Sequence, residues 1–208
     1  GHPLIDQVIG VGRPEKRDGI TRIALMPGSR KREVDDVLPA MLAAVRILRA
    51  ERAIEPFIVQ APTIEHEQLA GLVRASGEQV PILPRDRGEG LAAADIAISS
   101  SGTATLESAV LGTPVVVMYR LGRLTYRIAQ QLVKLPYFSL VNIVAGRRVV
   151  PELMQDEVTG PNIAAAVREL LKPERYAQAR ADMAEVRTKL GERGASRRAA
   201  EAIMATLR

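Results

Sequence analysis

Two short polar segments in this 208-residue chain could do chemistry. In Leu25-Met26-Pro27-Gly28-Ser29-Arg30, Gly28 lets the backbone approach a ligand closely, Ser29 offers a hydroxyl, and Arg30 can grip a phosphate through two parallel hydrogen bonds. Taken by itself, a Pro-Gly-Ser run is ordinary turn chemistry. The second segment, Ser99-Ser100-Ser101-Gly102-Thr103-Ala104-Thr105-Leu106-Glu107, repeats the same logic. Ser101, Gly102 and Thr103 stand where an apolar run gives way to a helical pattern, so free N–H groups and the positive end of a helix dipole would face a ligand there. Glu107 lies one helical turn beyond Thr103, where a carboxylate can accept hydrogen bonds from the two hydroxyls of a ribose. The competing reading is a capping box, whose spacing is three residues rather than the four found here. Neither loop is Gly-x-Gly-x-x-Gly or a Walker sequence, which speaks against dinucleotide reduction and ATP hydrolysis.

Positioning such loops requires strands that end at them. Apolar runs rich in Val and Ile predict strands at Arg22 to Met26, Phe57 to Gln60, Val80 to Leu83, Asp95 to Ser99 and Pro114 to Met118. Their continuity suits strands buried on both faces of a parallel sheet. Between them, Val34, Val37, Leu38, Met41, Leu42, Val45 and Leu48 recur on one helical face, with a kink or helix start expected at Pro39. Further helices are predicted over Ile64 to Ala75, Glu89 to Ala94, Thr103 to Leu111, Leu124 to Val133 and Asn162 to Leu171. The alternation predicts an α/β, Rossmann-like doubly wound parallel sheet over residues 1–172. Beyond Pro173 only helices are expected, Glu174 to Leu190 and Ser196 to Leu207, forming a helical tail over 173–208. Loops leaving the carboxyl ends of neighbouring parallel strands are where an open α/β sheet binds a nucleotide.

Composition narrows the function classes. With 47% hydrophobic residues, a net charge of +5 and no Cys or Trp, the chain reads as globular and intracellular, and thiol catalysis and thiolate metal sites are excluded. No apolar run approaches the roughly 18 residues that span a bilayer, and the N-terminus lacks a signal-peptide pattern. The sequence starts at Gly1 without a Met, as a processed chain or a piece of a longer one would. Charge is uneven: Ser108 to Pro151 holds Arg120, Arg123, Arg127, Lys134, Arg147 and Arg148 and no carboxylate, together with Tyr119, Tyr126, Tyr137 and Phe138. A basic, aromatic stretch implies an anionic partner or an anionic lipid surface, and the alternative is a solvated face over core aromatics. No nucleic-acid motif accompanies it, so nucleic acid is not an expected partner. His2 and His66 read as surface residues. No Gly-x-Ser-x-Gly elbow surrounds the serines, and no Asp-x-Asp occurs, so neither a hydrolase triad nor a metal-bridged pyrophosphate is expected, and no cofactor is implied.

The runs Leu25 to Glu33, Ser100 to Glu107, Met118-Tyr119-Arg120 and Tyr137 to Arg147, with Gly1-His2-Pro3-Leu4 at the start, resemble the nucleotide-sugar half of lipid-A-disaccharide synthase along essentially the whole chain. The resemblance implies one half of a GT-B fold, two Rossmann-like domains with the active site between them, of which the N-terminal acceptor domain is not in this sequence. It implies a UDP-2,3-diacylglucosamine donor and the acceptor 2,3-diacylglucosamine 1-phosphate (lipid X), joined to release UDP at the inner face of the cytoplasmic membrane. Gly28, Ser29 and Arg30 would then face donor phosphates or sugar, Ser101, Gly102 and Thr103 the pyrophosphate, and Glu107 the ribose. Arg120 and Asn142 would lie near the cleft, and the catalytic base would come from the other half. The serine-glycine-threonine-glutamate element is shared with UDP-N-acetylglucosamine 2-epimerases and the peptidoglycan precursor transferase, and a non-catalytic nucleotide-sugar-binding module would also keep both loops.

Overall fold

The computed structural model describes residues 1–8, 19–84, 88–122 and 136–206. The expected helix at Leu124 to Val133 lies outside them, as do Arg123, Tyr126, Arg127 and Lys134. Six parallel strands form one sheet: β1 (Thr21–Met26), β2 (Ile54–Gln60), β3 (Ile82–Pro84), β4 (Ile96–Ser100), β5 (Val115–Tyr119) and β6 (Glu152–Met154). Their spatial order is β3-β2-β1-β4-β5-β6, so the winding reverses between β1 and β4. Leu25 of β1 pairs with Ile58 on one side and Ile98 on the other. Sequence patterning identifies five of these strands and misses β6, a three-residue edge strand of half-buried residues that pairs with β5.

Burial on both faces explains the uninterrupted apolar runs. Ile23 and Leu25 of β1, Ile96 and Ile98 of β4, and Val116 and Met118 of β5 point into one core. Ala24 and Met26, Ala97, and Val115 and Val117 point into the other. The first core is covered by α2 (Lys31–Glu51), α3 (His66–Ser76) and α7 (Gly160–Leu170). The second is covered by α1 (Pro3–Val8), α4 (Glu89–Ala92), α5 (Thr103–Val110), α6 (Leu140–Ala145) and α8 (Pro173–Lys189). Among the described α-helices, only α9 (Ala195–Thr206) buries none of its residues. Among the described residues no helix is long and apolar enough to cross a membrane.

Pro39 neither starts nor ends α2, which runs through it for 21 residues. A proline offers no N–H to the carbonyl four residues before it, and its ring crowds that turn. Arg120 supplies a donor beside the break, its Nη1 reaching the Asp36 carbonyl at 2.8 Å. Further along, α2 meets the start of α7, where Gly160 faces Ala43. A methyl group at Gly160 would stand 2.7 Å from the Ala43 Cβ and 3.1 Å from its carbonyl carbon. Gly160→Ala should therefore cost about 1–3 kcal/mol by overpacking. Urea unfolding checks this, and an unchanged midpoint would mean that the two helices part without penalty.

The α8 helix is pinned to the loop after α6 by charge. Arg147 Nη2 lies 2.9 Å from Asp182 Oδ1 and 2.6 Å from Glu185 Oε2, and Lys189 Nζ lies 2.8 Å from Glu185 Oε1. Hydrogen bonds from Lys189 and then Arg147 hold the Glu185 carboxyl below the usual glutamate value. A lowered carboxylate pKa adds stability above the unfolded value and loses it as pH falls through the folded one. Wild type should therefore melt above Glu185→Gln at neutral pH, and the gap should shrink as pH falls below the ordinary glutamate value and close once it passes the lowered one. A gap independent of pH would trace the difference to packing rather than charge.

Candidate functional site

The chain leaves β1 through Pro27 and turns at Gly28, whose φ of +115° is a conformation that L side chains rarely adopt. Neighbouring segments hold this turn. Thr63 Oγ1 donates to the Ser29 carbonyl at 2.6 Å. Gln68 Nε2 donates to the Lys31 carbonyl at 3.0 Å and to Asp35 Oδ1 at 2.8 Å. Arg30, extended and exposed, is the residue before α2 and makes no side-chain cap. Instead Glu33, in the first turn of α2, folds back so that its Oε2 accepts from the Ser29 N–H at 3.3 Å.

The second loop leaves β4, the neighbour of β1. The Ser101 N–H donates to the Met118 carbonyl at 2.8 Å, continuing the ladder to β5. The chain then passes Gly102 into α5. Gly102 has no side chain to cap the helix, so the capping box that the sequence allows is not formed at Thr103. Thr105 Oγ1 turns back to the Gly102 carbonyl at 2.7 Å. Glu107, 9% exposed, stands one turn further along.

A third wall comes from the segment before α6. Ser139 caps α6 by accepting from the Asn142 N–H. Glu152 of β6 accepts from the Ser139 N–H at 2.8 Å and the Phe138 N–H at 3.2 Å. Phe138 stacks on Tyr119 with ring centroids 5.8 Å apart, and its carbonyl accepts from Ser101 Oγ at 3.5 Å. The strand missed by patterning thus fixes this wall, to which Leu140 contributes.

Together with Val59, Ala61, Gly88 and Leu91, the three segments line a cavity of about 380 Å³. Of the nine residues singled out from the sequence, the structure brings seven onto it: Gly28, Ser29, Arg30, Ser101, Gly102, Thr103 and Glu107. The cavity lies at the carboxyl ends of β1 and β4, where the strand order reverses, the position at which open α/β sheets bind ligands. It offers uncharged N–H and hydroxyl donors, one guanidinium, and two carboxylates, Glu33 and Glu107.

Arg120 and Asn142 are not on the cavity wall. The Arg120 guanidinium donates to the carbonyls of Gln155, Asp36 and Val158 at 3.3, 2.8 and 2.6 Å, bracing β5 against α2 and the start of α7. Asn142 is completely buried. Its Oδ1 accepts from the Val149 and Val150 N–H groups at 2.7 and 3.0 Å, and its Nδ2 donates to the Val150 carbonyl at 3.0 Å. Both side chains are committed to backbone. Glu33 and Thr63, in contrast, escape the sequence reading. Glu33 stands three residues after Arg30, the residue before α2, the spacing at which a glutamate reaches back to the start of a helix, and that is the signal that could have found it.

The sequence profile of the lipid-A-disaccharide synthetase family matches residues 1–206. The chain belongs to that family. Curated members share similar identity along it: the lipid-A-disaccharide synthase of Myxococcus xanthus is 39% identical over 220 residues, covering all of this chain and 56% of that protein. That of Syntrophus aciditrophicus is 38% identical, covering 96% of this chain and 55% of that protein. The chain thus spans about half the length of the relatives it matches. Among solved structures, the calicheamicin glycosyltransferase CalG4 superposes with a TM-score of 0.58 at 17% identity, over 92% of this chain and 43% of CalG4. The pneumococcal O-GlcNAc transferase GtfA, solved with UDP and GlcNAc, gives a TM-score of 0.55 at 12% identity, over 82% of this chain and 32% of GtfA. At such identities the likeness is one of fold: a Rossmann-like sheet similar to one half of GT-B glycosyltransferases.

Proposed function

We propose that this chain is the donor-binding half of a lipid-A-disaccharide synthase, working with an acceptor domain in the rest of the full-length protein. The donor would be UDP-2,3-diacylglucosamine and the acceptor 2,3-diacylglucosamine 1-phosphate. The carrying observation is the single cavity that gathers Gly28, Ser29, Arg30 and Ser101 to Thr103 beside Glu107, in a chain of this family. In the reaction the acceptor hydroxyl attacks the anomeric carbon, the bond from that carbon to the UDP oxygen breaks, and UDP leaves. The hydroxyl proton passes to a base from the acceptor half. Negative charge grows on the departing pyrophosphate. N–H groups of the α5 start, the hydroxyls beside them and the Arg30 guanidinium are preorganised to stabilise that charge, with no covalent intermediate. Glu107 would hold the ribose hydroxyls.

Both substrates carry acyl chains, so we place the full-length enzyme at the cytoplasmic membrane surface, in a peripheral position. The test gives purified full-length protein the UDP-linked donor and lipid X and follows the disaccharide phosphate and UDP by mass spectrometry. Equimolar product is expected. A folded full-length protein that makes none, while the same assay succeeds with the Myxococcus xanthus relative, would refute the reading.

A further inference from the structure

Glu33 lies where an anionic ligand is expected. Three observations bear on it. Its Oε2 accepts from the Ser29 N–H at 3.3 Å, at the turn that precedes α2. Its side chain lies over the Gly28 α-carbon so closely that a Cβ at Gly28 would overlap its Cγ, Cδ and Oε2. It also lines the same cavity as Arg30, Ser101 and Thr103. A carboxylate at the start of a 21-residue helix is favoured by the helix dipole, as a phosphate would be. Two anions cannot share one N–H donor at contact distance.

We infer that Glu33 occupies, in the free chain, the place that a phosphate oxygen of the nucleoside diphosphate takes at the Ser29 N–H, and that it thereby selects the sugar-linked donor over free UDP. This rests on the donor-site reading above. Binding exchanges one acceptor for another at Ser29, and the displaced carboxylate stays near the incoming charge, tethered by α2. The terminal phosphate of UDP is unesterified, with a second ionisation near pH 6, so it is largely doubly charged at neutral pH. Once esterified to a sugar it carries a single charge. Repulsion from Glu33 therefore falls more heavily on the product than on the donor, which promotes product departure.

Calorimetric titration of the 208-residue chain with UDP and with UDP-N-acetylglucosamine, in wild type, Glu33→Gln and Glu33→Ala, tests this. Glutamine keeps the shape without the charge, and alanine clears the position, so one variant covers for the other should either fold poorly. UDP should bind both variants about two- to fivefold more tightly than wild type, the range typical of one charge at a helix start. UDP-N-acetylglucosamine should gain less. UDP affinity that is unchanged or lower in the variants, or a gain no larger than that of the sugar nucleotide, overturns the inference while leaving the donor site standing. Failure of UDP to bind any of the three proteins overturns the inference and the donor site together.

Discussion

Asn142→Ala is expected to lower the free energy of unfolding by about 3 kcal/mol or more and to leave UDP affinity unchanged in the folded fraction. The side chain is fully buried, and its carboxamide makes three backbone hydrogen bonds, to the Val149 N–H, the Val150 N–H and the Val150 carbonyl. Truncation strands all three groups away from water, at about 1–3 kcal/mol for each buried group left unpaired. These bonds join α6 to the chain entering β6, and β6 carries the Glu152 carboxylate that holds Phe138 and Ser139. Asn142→Asp should also destabilise, since it sets a carboxylate oxygen against the Val150 carbonyl. Urea unfolding and UDP titration read the two properties separately. Wild-type stability with lost UDP affinity would return Asn142 to the donor site.

Asn142 also marks what a sequence can convey. An asparagine aimed at a ligand and one aimed at buried backbone are the same letter, and the family resemblance draws Asn142 and Arg120 toward the cleft without distinguishing the two uses. Both serve backbone: Arg120 donates to the carbonyls of Gln155, Asp36 and Val158, and Asn142 ties α6 to the backbone of Val149 and Val150. The glycine loops were legible for the opposite reason. Gly28 and Ser101 to Thr103 directly follow Val- and Ile-rich runs that alternate between two cores, so their place at strand ends follows from burial alone. The misses were short elements. β6 has three residues, and α1 and α6 have six each, too few for either period to register. Pro39 suggests a helix boundary that α2, buried along one face from Val34 to Leu48, overrides.

Glu107→Gln should weaken UDP binding by about 1–3 kcal/mol, roughly five- to 150-fold in Kd. Glu107 lies on the cavity wall, 9% exposed, one turn into α5 from Thr103. In the proposed site its two carboxylate oxygens accept from the two ribose hydroxyls. Glutamine retains one acceptor, replaces the other by an amide donor and removes the charge that strengthens both bonds. Glu107 also makes a further interaction within the protein, so the unfolding midpoint is measured alongside affinity. 2′-Deoxy-UDP isolates the ribose contact: lacking one hydroxyl, it should bind wild type more weakly than UDP and lose less on Glu107→Gln. Equal losses for the two nucleotides would move Glu107 away from the ribose, and unchanged UDP affinity would remove it from the site. The sign separates it from Glu33, whose neutralisation should tighten the same ligand. A hydroxyl-binding carboxylate needs its charge, whereas one in the place of a phosphate oxygen opposes the ligand with it. The double variant should therefore fall between the two single variants in UDP affinity. Losses that accumulate instead would mean that both carboxylates hold the nucleotide, and that the diphosphate enters without displacing Glu33.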